Sequence, residues 1–518
     1  MRLHDNLDYH ARQAPDSIFA EMGERQISYA EAQLEANRLA NALIAEGLQI
    51  GDRVAILSKN SIEMAVFYFA CSKAGVAPVP LNYRLAPPEW AYILNDSGSK
   101  LLVAQPELAA ALEPVRQDLG EIKRFLSVNG KAEGCDELSD FVAGQPTTAP
   151  DRFVPLTADL YQMYTSGTTG RPKGAVLSQE AVCWQLYQAM VGFSISSGER
   201  GLIVAPMYHA AAGICTFAIV GGGGTLVIHE DFDPKAVVDA LSDGGITVSL
   251  LVPAMIQFCL VAVPDVAERN YEKLRLLIYG ASAIAEASLR QAMETFGCDF
   301  VQGYGMTETT AAVSYLMPED HRRGLAGEPG LLLSAGRALI GTEIRIVDGE
   351  GKPVPNGTIG EVAARGPQLM RGYWNLEEAT AEALRDGWMH TGDAGIMDDE
   401  GFVYIQDRVK DMIISGGENV YPREIEDVLY EHPAVAEAAV IGIPDEKWGE
   451  TVKAVVVLKE GEEATSEELL AFCKGRLGGY KRPRSVDFIA ALPRNPSGKV
   501  LKKDLREPYW AGHDRRVG

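Results

Sequence analysis

The amino-acid sequence predicts an α/β protein with largely parallel sheet, whose last hundred or so residues form a separate, more basic module. Two observations predict it. Apolar runs of strand length alternate with helical patterns along most of the chain, and the charge balance changes near residue 408. The length, 518 residues, is enough for about three folding units of roughly 100–200 residues each. A make-up that is 47% apolar and 23% charged is that of a globular protein, not a disordered one.

The elements follow in order. Residues 29–46 carry apolar side chains at helical spacing and end at Gly47, so they predict a helix. Residues 54–57 predict a buried strand and residues 65–74 a second helix. Residues 101–104, 202–204, 226–228 and 276–278 are further apolar runs bounded by turn residues. Between Gly201 and His229 no residue is formally charged, which is long enough to span a bilayer. Pro206, His209 and the glycines from Gly221 to Gly224 break it into short pieces, so strand, helix, strand is the better reading. Residues 392–406 predict strands joined by turns. Residues 1–407 hold 30 basic and 52 acidic side chains, and residues 408–518 hold 18 and 19. Within the latter, residues 481–506 carry eight basic side chains against two acidic. A boundary near Asp407 therefore divides the chain into 1–407 and 408–518.

The formal charge of −23 argues against a nucleic-acid partner, which needs a basic footprint. It does not exclude small anionic substrates, because a site depends on local charge. Seven scattered cysteines, none at C-x-x-C spacing, give neither a disulfide framework nor a zinc pattern. With a polar N-terminal stretch and no signal peptide or transmembrane segment, the expected location is the cytoplasm. A homodimer is left open.

The strongest chemical signal is residues 164–174, Tyr-Thr-Ser-Gly-Thr-Thr-Gly-Arg-Pro-Lys-Gly. Hydroxyls, glycines, Arg171 and Lys173 make a loop suited to phosphate oxygens. It is not a Walker A loop, since five residues after Gly167 stands Pro172 rather than Gly-Lys. Gln302-Gly-Tyr-Gly-Met-Thr-Glu308, His390-Thr-Gly-Asp393, residues 407–419 and Asn495-Pro-Ser-Gly-Lys-Val500 share this density of glycine and polar groups. Alone, each reads as a solvated loop.

Together and in this order, with GEVAARGPQLMRGYW at 360–374 and DRVKDMIISGGENVYPREIE at 407–426, they resemble the adenylate-forming superfamily of acyl-CoA synthetases, peptide-synthetase adenylation domains and beetle luciferases. The resemblance runs from about Asp5 to Arg506. It implies a large N-terminal domain of α/β subdomains plus a small mobile α+β C-terminal domain. It also implies an ATP- and CoA-dependent ligase with Mg²⁺: a carboxylic acid and ATP give acyl-AMP and pyrophosphate, and the acyl group then passes to a thiol.

The resemblance carries roles onto these residues. Thr165, Ser166, Gly167, Thr168, Thr169, Gly170 and Lys173 would cradle the phosphates, with Thr168 and Glu308 on Mg²⁺. Gly280, Ala281 and Ser282 would run along adenine, and Gln302, Gly303, Tyr304, Gly305, Met306 and Thr307 would complete that side, Tyr304 by stacking. Asp393 would accept from both ribose hydroxyls, with Arg408 beside it. Lys499 would bridge the acyl carboxylate and the α-phosphate, stabilising charge in the adenylation transition state. For the second step the C-terminal domain would pivot at Lys410, withdraw Lys499 and bring in Ser415, Gly416, Gly417 and Glu418 against the pantetheine arm of CoA. His209 occupies the place of a gate on the acyl tunnel, although a structural histidine fits there equally. Cys215 and Cys259 sit in apolar surroundings and read as core.

The expected pocket for the acid draws on Tyr208, Ala211, Gly213, Val252, Ile256, Tyr279 and Val313, apolar and in part small. These favour a medium- or long-chain fatty acid. An aryl or phenylpropenoid acid and a steroid side-chain acid are the alternatives. Free CoA is the expected acceptor: no carrier domain follows Lys499, and residues 205–215 hold no acid for an amino-acid ammonium. An acyl-AMP ligase that loads a carrier protein is the rival enzyme. A non-catalytic protein of the same fold would have no reason to keep Lys499, Glu308 and Asp393.

Overall fold

The computed structural model describes residues 1–165, 171–282, 284, 286–408, 411–415, 418–445, 448–474, 476–494 and 500–511, with backbone alone at 407, 408, 418 and 419. Nine strands form the central sheet, in the order Arg337–Ala338, Ser314–Leu316, Asp299–Tyr304, Leu276–Gly280, Val248–Leu250, Arg200–Ile203, Thr225–Ile228, Ile18–Met22 and Arg25–Ser28. The middle six strands run parallel, and the pairs at both edges are antiparallel. Strands covered on both faces read as continuous apolar runs, which is how residues 202–204, 226–228 and 276–278 read. The uncharged stretch from Gly201 to His229 is the end of one strand, helix Ala210–Gly221 and strand Thr225–Ile228. Among the described residues no helix is long and apolar enough to cross a membrane.

A second, parallel sheet holds Ala77–Pro80, Arg53–Leu57, Ser99–Ala104, Arg124–Ser127 and Asp136–Glu137. Helix Tyr29–Ala45 begins where Ser28 Oγ accepts the Glu31 N–H (3.2 Å) and the Glu31 carboxylate accepts the Ser28 N–H (2.7 Å). Helix Ile62–Ala74 starts three residues earlier than its apolar pattern suggested, at the Ser61 cap. It is buried on all sides except at Glu63, and Lys73 is tolerated there because Asp8 pairs with it.

Helices cover both faces of the nine-stranded sheet. Ile203, Leu226, Leu276, Ile278 and Val301 face the helices Gln179–Phe193 and Ala210–Gly221. Leu202, Leu277, Tyr279 and Phe300 face helices Pro234–Asp243, Pro253–Ala262 and Glu286–Phe296. At the edge of that second layer His321 is fully buried. Its Nδ1 donates to the Met317 carbonyl (2.9 Å), and Nε2 accepts from the Tyr279 hydroxyl (2.9 Å). Burial pushes this imidazole down to about 4 from 6.5. Below pH 6.5 the unfolded chain takes up a proton that the folded one refuses, so this contribution to stability falls with pH and is gone below about 4. Urea titrations from pH 7 to 4 should show a shallower loss in His321→Asn than in the parent. Equal slopes would remove His321 as the cause.

After strand Val403–Arg408 the chain leaves the sheet of Glu343–Val347, Gly360–Arg365 and Trp388–Met397. Strand Ile413–Ser415 belongs to a separate sheet with Glu418–Val420, Val435–Asp445, Gly449–Leu458 and Ser485–Phe488. That sheet has its own core, centred on Ile413, Ile425, Val440, Val452, Leu469 and Val486.

Candidate active site

Strands Asp159–Thr165 and Lys173–Ser178 pair antiparallel, Thr165 opposite Lys173, and bring together the two ends of the hydroxyl- and glycine-rich segment. Ser166, Gly167, Thr168, Thr169 and Gly170 lie outside the described residues. The strand pair is fixed at this end. The Tyr164 hydroxyl donates to Asp96 Oδ2 (2.6 Å) and accepts from Gln162 Nε2 (3.0 Å), and burial holds its phenol protonated well above the ordinary range. The Arg171 guanidinium lies 5.2 Å from the Tyr92 ring centroid, and the Tyr92 hydroxyl donates to the Pro172 carbonyl.

Strand Gly372–Tyr373 adds to the same sheet, opposite Ala175 and Val176. There Tyr373 joins two groups that are remote in sequence. Its hydroxyl donates to Glu308 Oε1 at 2.8 Å, and the Lys173 ammonium lies 5.0 Å from its ring centroid. Glu308 sits in the 3₁₀ turn Thr307–Thr309 and is buried. Its backbone carbonyl accepts from the Met370 N–H (2.8 Å), which ties this turn to the segment that leads into Tyr373.

Strands Leu276–Gly280 and Asp299–Tyr304 bring the two expected adenine segments side by side, Gly280 opposite Gly303. A Cβ at Gly280 would stand 2.2 Å from the Gly303 carbonyl oxygen, so only glycine permits this approach. Ala281, just beyond, takes a left-handed φ of 65°. Tyr304 is half-buried at the mouth, not core, and its hydroxyl donates to Asp393 Oδ2 at 2.8 Å. Asp393 itself is buried in strand Trp388–Met397, where its backbone pairs with Arg408. Tyr304, Asp393, Gly280 and Glu308 thus come from separate strands and turns and converge on the same end of the sheet.

His209 stands at the N-cap of helix Ala210–Gly221, half-buried, its ring 4.4 Å from that of Tyr208. Tyr208 packs edge-on to Tyr83 at 5.5 Å, and its buried hydroxyl has no hydrogen-bond partner among the described residues. Deeper in this helix, Cys215 and Ala218 line a water-sized apolar void in the core together with Ile203, Leu250 and Ile278. Among the described residues the one polar side chain there is Ser249, whose Oγ donates to the Leu202 carbonyl at 3.2 Å. Burial pushes the Cys215 thiol up to about 12, as it does that of Cys259, so both are core thiols.

The seven residues expected to line the acid pocket are spread over several elements. Tyr279 and Ile256 are fully buried in the layer of helices Pro234–Asp243, Pro253–Ala262 and Glu286–Phe296, whereas Ile278, the strand neighbour of Tyr279, packs with the helices on the other face. Gly213 packs against the hydroxyl of Tyr161. Val252 is half-buried after strand Val248–Leu250, and Val313 is buried beside Tyr304, whose carbonyl accepts its N–H (2.8 Å). Ser415 ends strand Ile413–Ser415, its backbone opposite Glu418. Lys410, Gly416, Gly417 and Lys499 lie outside the described residues. Tyr373 and Glu361 were missed as individual residues, although both lie within the 360–374 segment that the resemblance rests on.

The two-domain fold and this convergence of the strands flanking a hydroxyl- and glycine-rich segment, an aromatic and two buried carboxylates match a family of adenylate-forming enzymes. The AMP-binding enzyme model matches residues 7–374, and the model of the AMP-binding enzyme C-terminal domain matches residues 424–499. The chain belongs to this family and is an AMP-forming acid–thiol ligase of the acyl-CoA synthetase type. Among its relatives, a feruloyl-CoA synthase from an Amycolatopsis species is 41% identical over 96% of this chain and 97% of its own length. A fatty acid–[acyl-carrier-protein] ligase, ScoC, from Streptomyces coeruleorubidus is 38% identical over 99% of this chain and 98% of its own. The solved structure of a Mycobacterium tuberculosis fatty acyl CoA synthetase, 35% identical, superposes with a TM-score of 0.79 over 99% of both chains.

Proposed function

We propose that the protein joins a medium- or long-chain fatty acid to CoA through an acyl-adenylate. What supports the choice of acid is helix Ala210–Gly221 behind His209, which carries small and apolar side chains and no charge. An aryl acid is the second reading. The buried Tyr208 hydroxyl, without a partner among the described residues, could bind a ring substituent, and the 41% relative is a feruloyl-CoA synthase.

In this reading Thr165, the loop residues 166–170 and Lys173 hold the β- and γ-phosphates, and Lys499 neutralises charge where the carboxylate meets the α-phosphate. Tyr304 stacks on adenine along Gly280 to Ser282, and Asp393 accepts from the ribose. Thr168 and Glu308 would hold Mg²⁺, which supplies charge neutralisation at the phosphates when bound. Glu308 fits that role: among the described residues its buried carboxylate accepts one hydrogen bond, on Oε1, and its other oxygen is left for a cation. His209 gates the acid, and residues 415–418 guide pantetheine after the domain from 408 onward turns about Lys410. The cytoplasm suits seven free cysteines.

The test is AMP release with Mg-ATP and free CoA over acids from acetate to palmitate, with benzoate, cinnamate-type and steroid acids included. A chain-length optimum is expected. An optimum at an aryl acid would transfer the proposal to the second reading. Pyrophosphate exchange without turnover on free CoA would make a carrier protein the acceptor, as the name of ScoC describes for that relative.

A further inference from the structure

Strands Gly360–Arg365 and Trp388–Met397 pair in register up to Glu361 opposite Ala394, and resume at Ala363 opposite His390. Val362 alone therefore faces three residues, Thr391, Gly392 and Asp393. Asp393 is the last residue of this bulge, and its carboxylate accepts from the Tyr304 hydroxyl. Gly392 takes a φ of +70° within the bulge.

A bulge frees backbone groups from the ladder, and here other groups bind them. Glu361 Oε1 accepts the Gly392 N–H at 2.9 Å, and Glu361 Oε2 is bound to His390 Nδ1 at 2.7 Å, with Arg385 at 3.3 Å. Thr391 Oγ1 donates to the Val362 carbonyl (2.8 Å) and accepts the Asp393 N–H (3.1 Å). The imidazole of His390 is almost wholly buried. One carboxylate thus clamps both the first residue before the bulge and its central glycine.

We infer that Glu361, seated on His390, is a positioning residue that sets how strongly this enzyme reads the ribose of its nucleotide. This rests on the reading of Asp393 as the acceptor of the ribose hydroxyls, and it names the residue through which that reading is achieved. Glu361 touches no substrate in this account. It fixes the direction of a carboxylate whose hydrogen bonds are charge-assisted and therefore sensitive to angle.

The experiment compares binding of Mg-ATP and of 2′,3′-dideoxy-ATP by calorimetry, without acid or CoA. Two charge-assisted hydrogen bonds predict a preference of at least about 150-fold for ATP in the parent protein. In Glu361→Ala the preference should shrink to about threefold through weaker ATP binding alone, with dideoxy-ATP affinity unchanged. Glu361→Gln should keep most of it, because its amide oxygen still accepts from Gly392 and its amide keeps the same place beside His390. Adding Glu361→Ala to Asp393→Ala should cost nothing further. A full preference in Glu361→Ala overturns the inference, and so does equal weakening of both nucleotides, which marks general damage to the fold. If Asp393→Ala itself keeps the preference, the ribose reading fails, and the positioning role falls with it.

Discussion

Replacing Lys499 with alanine is expected to lower acid-dependent ATP–pyrophosphate exchange about a thousandfold, while supplied acyl-adenylate is still converted to thioester within about threefold of the parent rate. Adenylation brings a carboxylate against a phosphate, so the transition state concentrates negative charge between two anions. A cation placed there acts mostly on the transition state, and removing one such donor typically costs a factor of about 10²–10³. Thioester formation starts from a neutral acyl carbon and expels AMP, so it does not need that cation. The chain on either side of residues 495–499 is well anchored. Arg494 and Val500 form an antiparallel bridge, Leu501 donates to the Pro493 carbonyl (2.8 Å), and Val500 packs with Leu492 and Ile441. Just beyond, Lys502 pairs with Glu426 at 2.9 Å and Arg506 with Asp411 at 2.8 Å. Truncating Lys499 leaves these flanking contacts in place, and the melting temperature should not move. Equal losses in the two half-reactions would mean that one surface serves both steps and that no exchange of surfaces takes place.

Patterns carried by consecutive residues were legible in the sequence. The uncharged stretch from Gly201 to His229 resolved into strand, helix and strand because Pro206 and the glycine run mark its breaks. What was not legible depends on partners far along the chain. Ile278 and Tyr279 are adjacent and apolar in a strand covered on both faces, so hydrophobicity alone cannot say which one faces helix Ala210–Gly221. Only the packing of helices Ala210–Gly221 and Pro253–Ala262 on opposite faces decides it. The bulge at Asp393 is invisible in His-Thr-Gly-Asp, because a bulge exists only against the strand that contains Glu361. Tyr373 looks like an ordinary aromatic until strand pairing with Ala175 and Val176 carries it to Glu308.

That last contact leads to the second large effect. Glu308→Gln is expected to lower pyrophosphate exchange at saturating ATP by a factor of about 10²–10³ and to raise the Mg²⁺ concentration for half-maximal rate. The amide keeps the size of the side chain and can still accept from Tyr373, so the change isolates the charge. Tyr373→Phe should act on the same quantity in a smaller way. Loss of its hydroxyl leaves a buried carboxylate oxygen without its protein donor, worth about 1–3 kcal/mol, or about tenfold in rate. The ring under Lys173 remains, so the lysine should stay in place. The measurement is exchange rate against free Mg²⁺ for the three proteins, paired with Mg²⁺-dependent binding of a non-hydrolysable ATP analogue. If Glu308→Gln loses rate with an unchanged Mg²⁺ midpoint, Glu308 serves the protein's own fold and not the cation. If Tyr373→Phe matches the parent at every Mg²⁺ concentration, the 2.8 Å hydrogen bond is a packing contact, and Glu308 is oriented by its own turn alone.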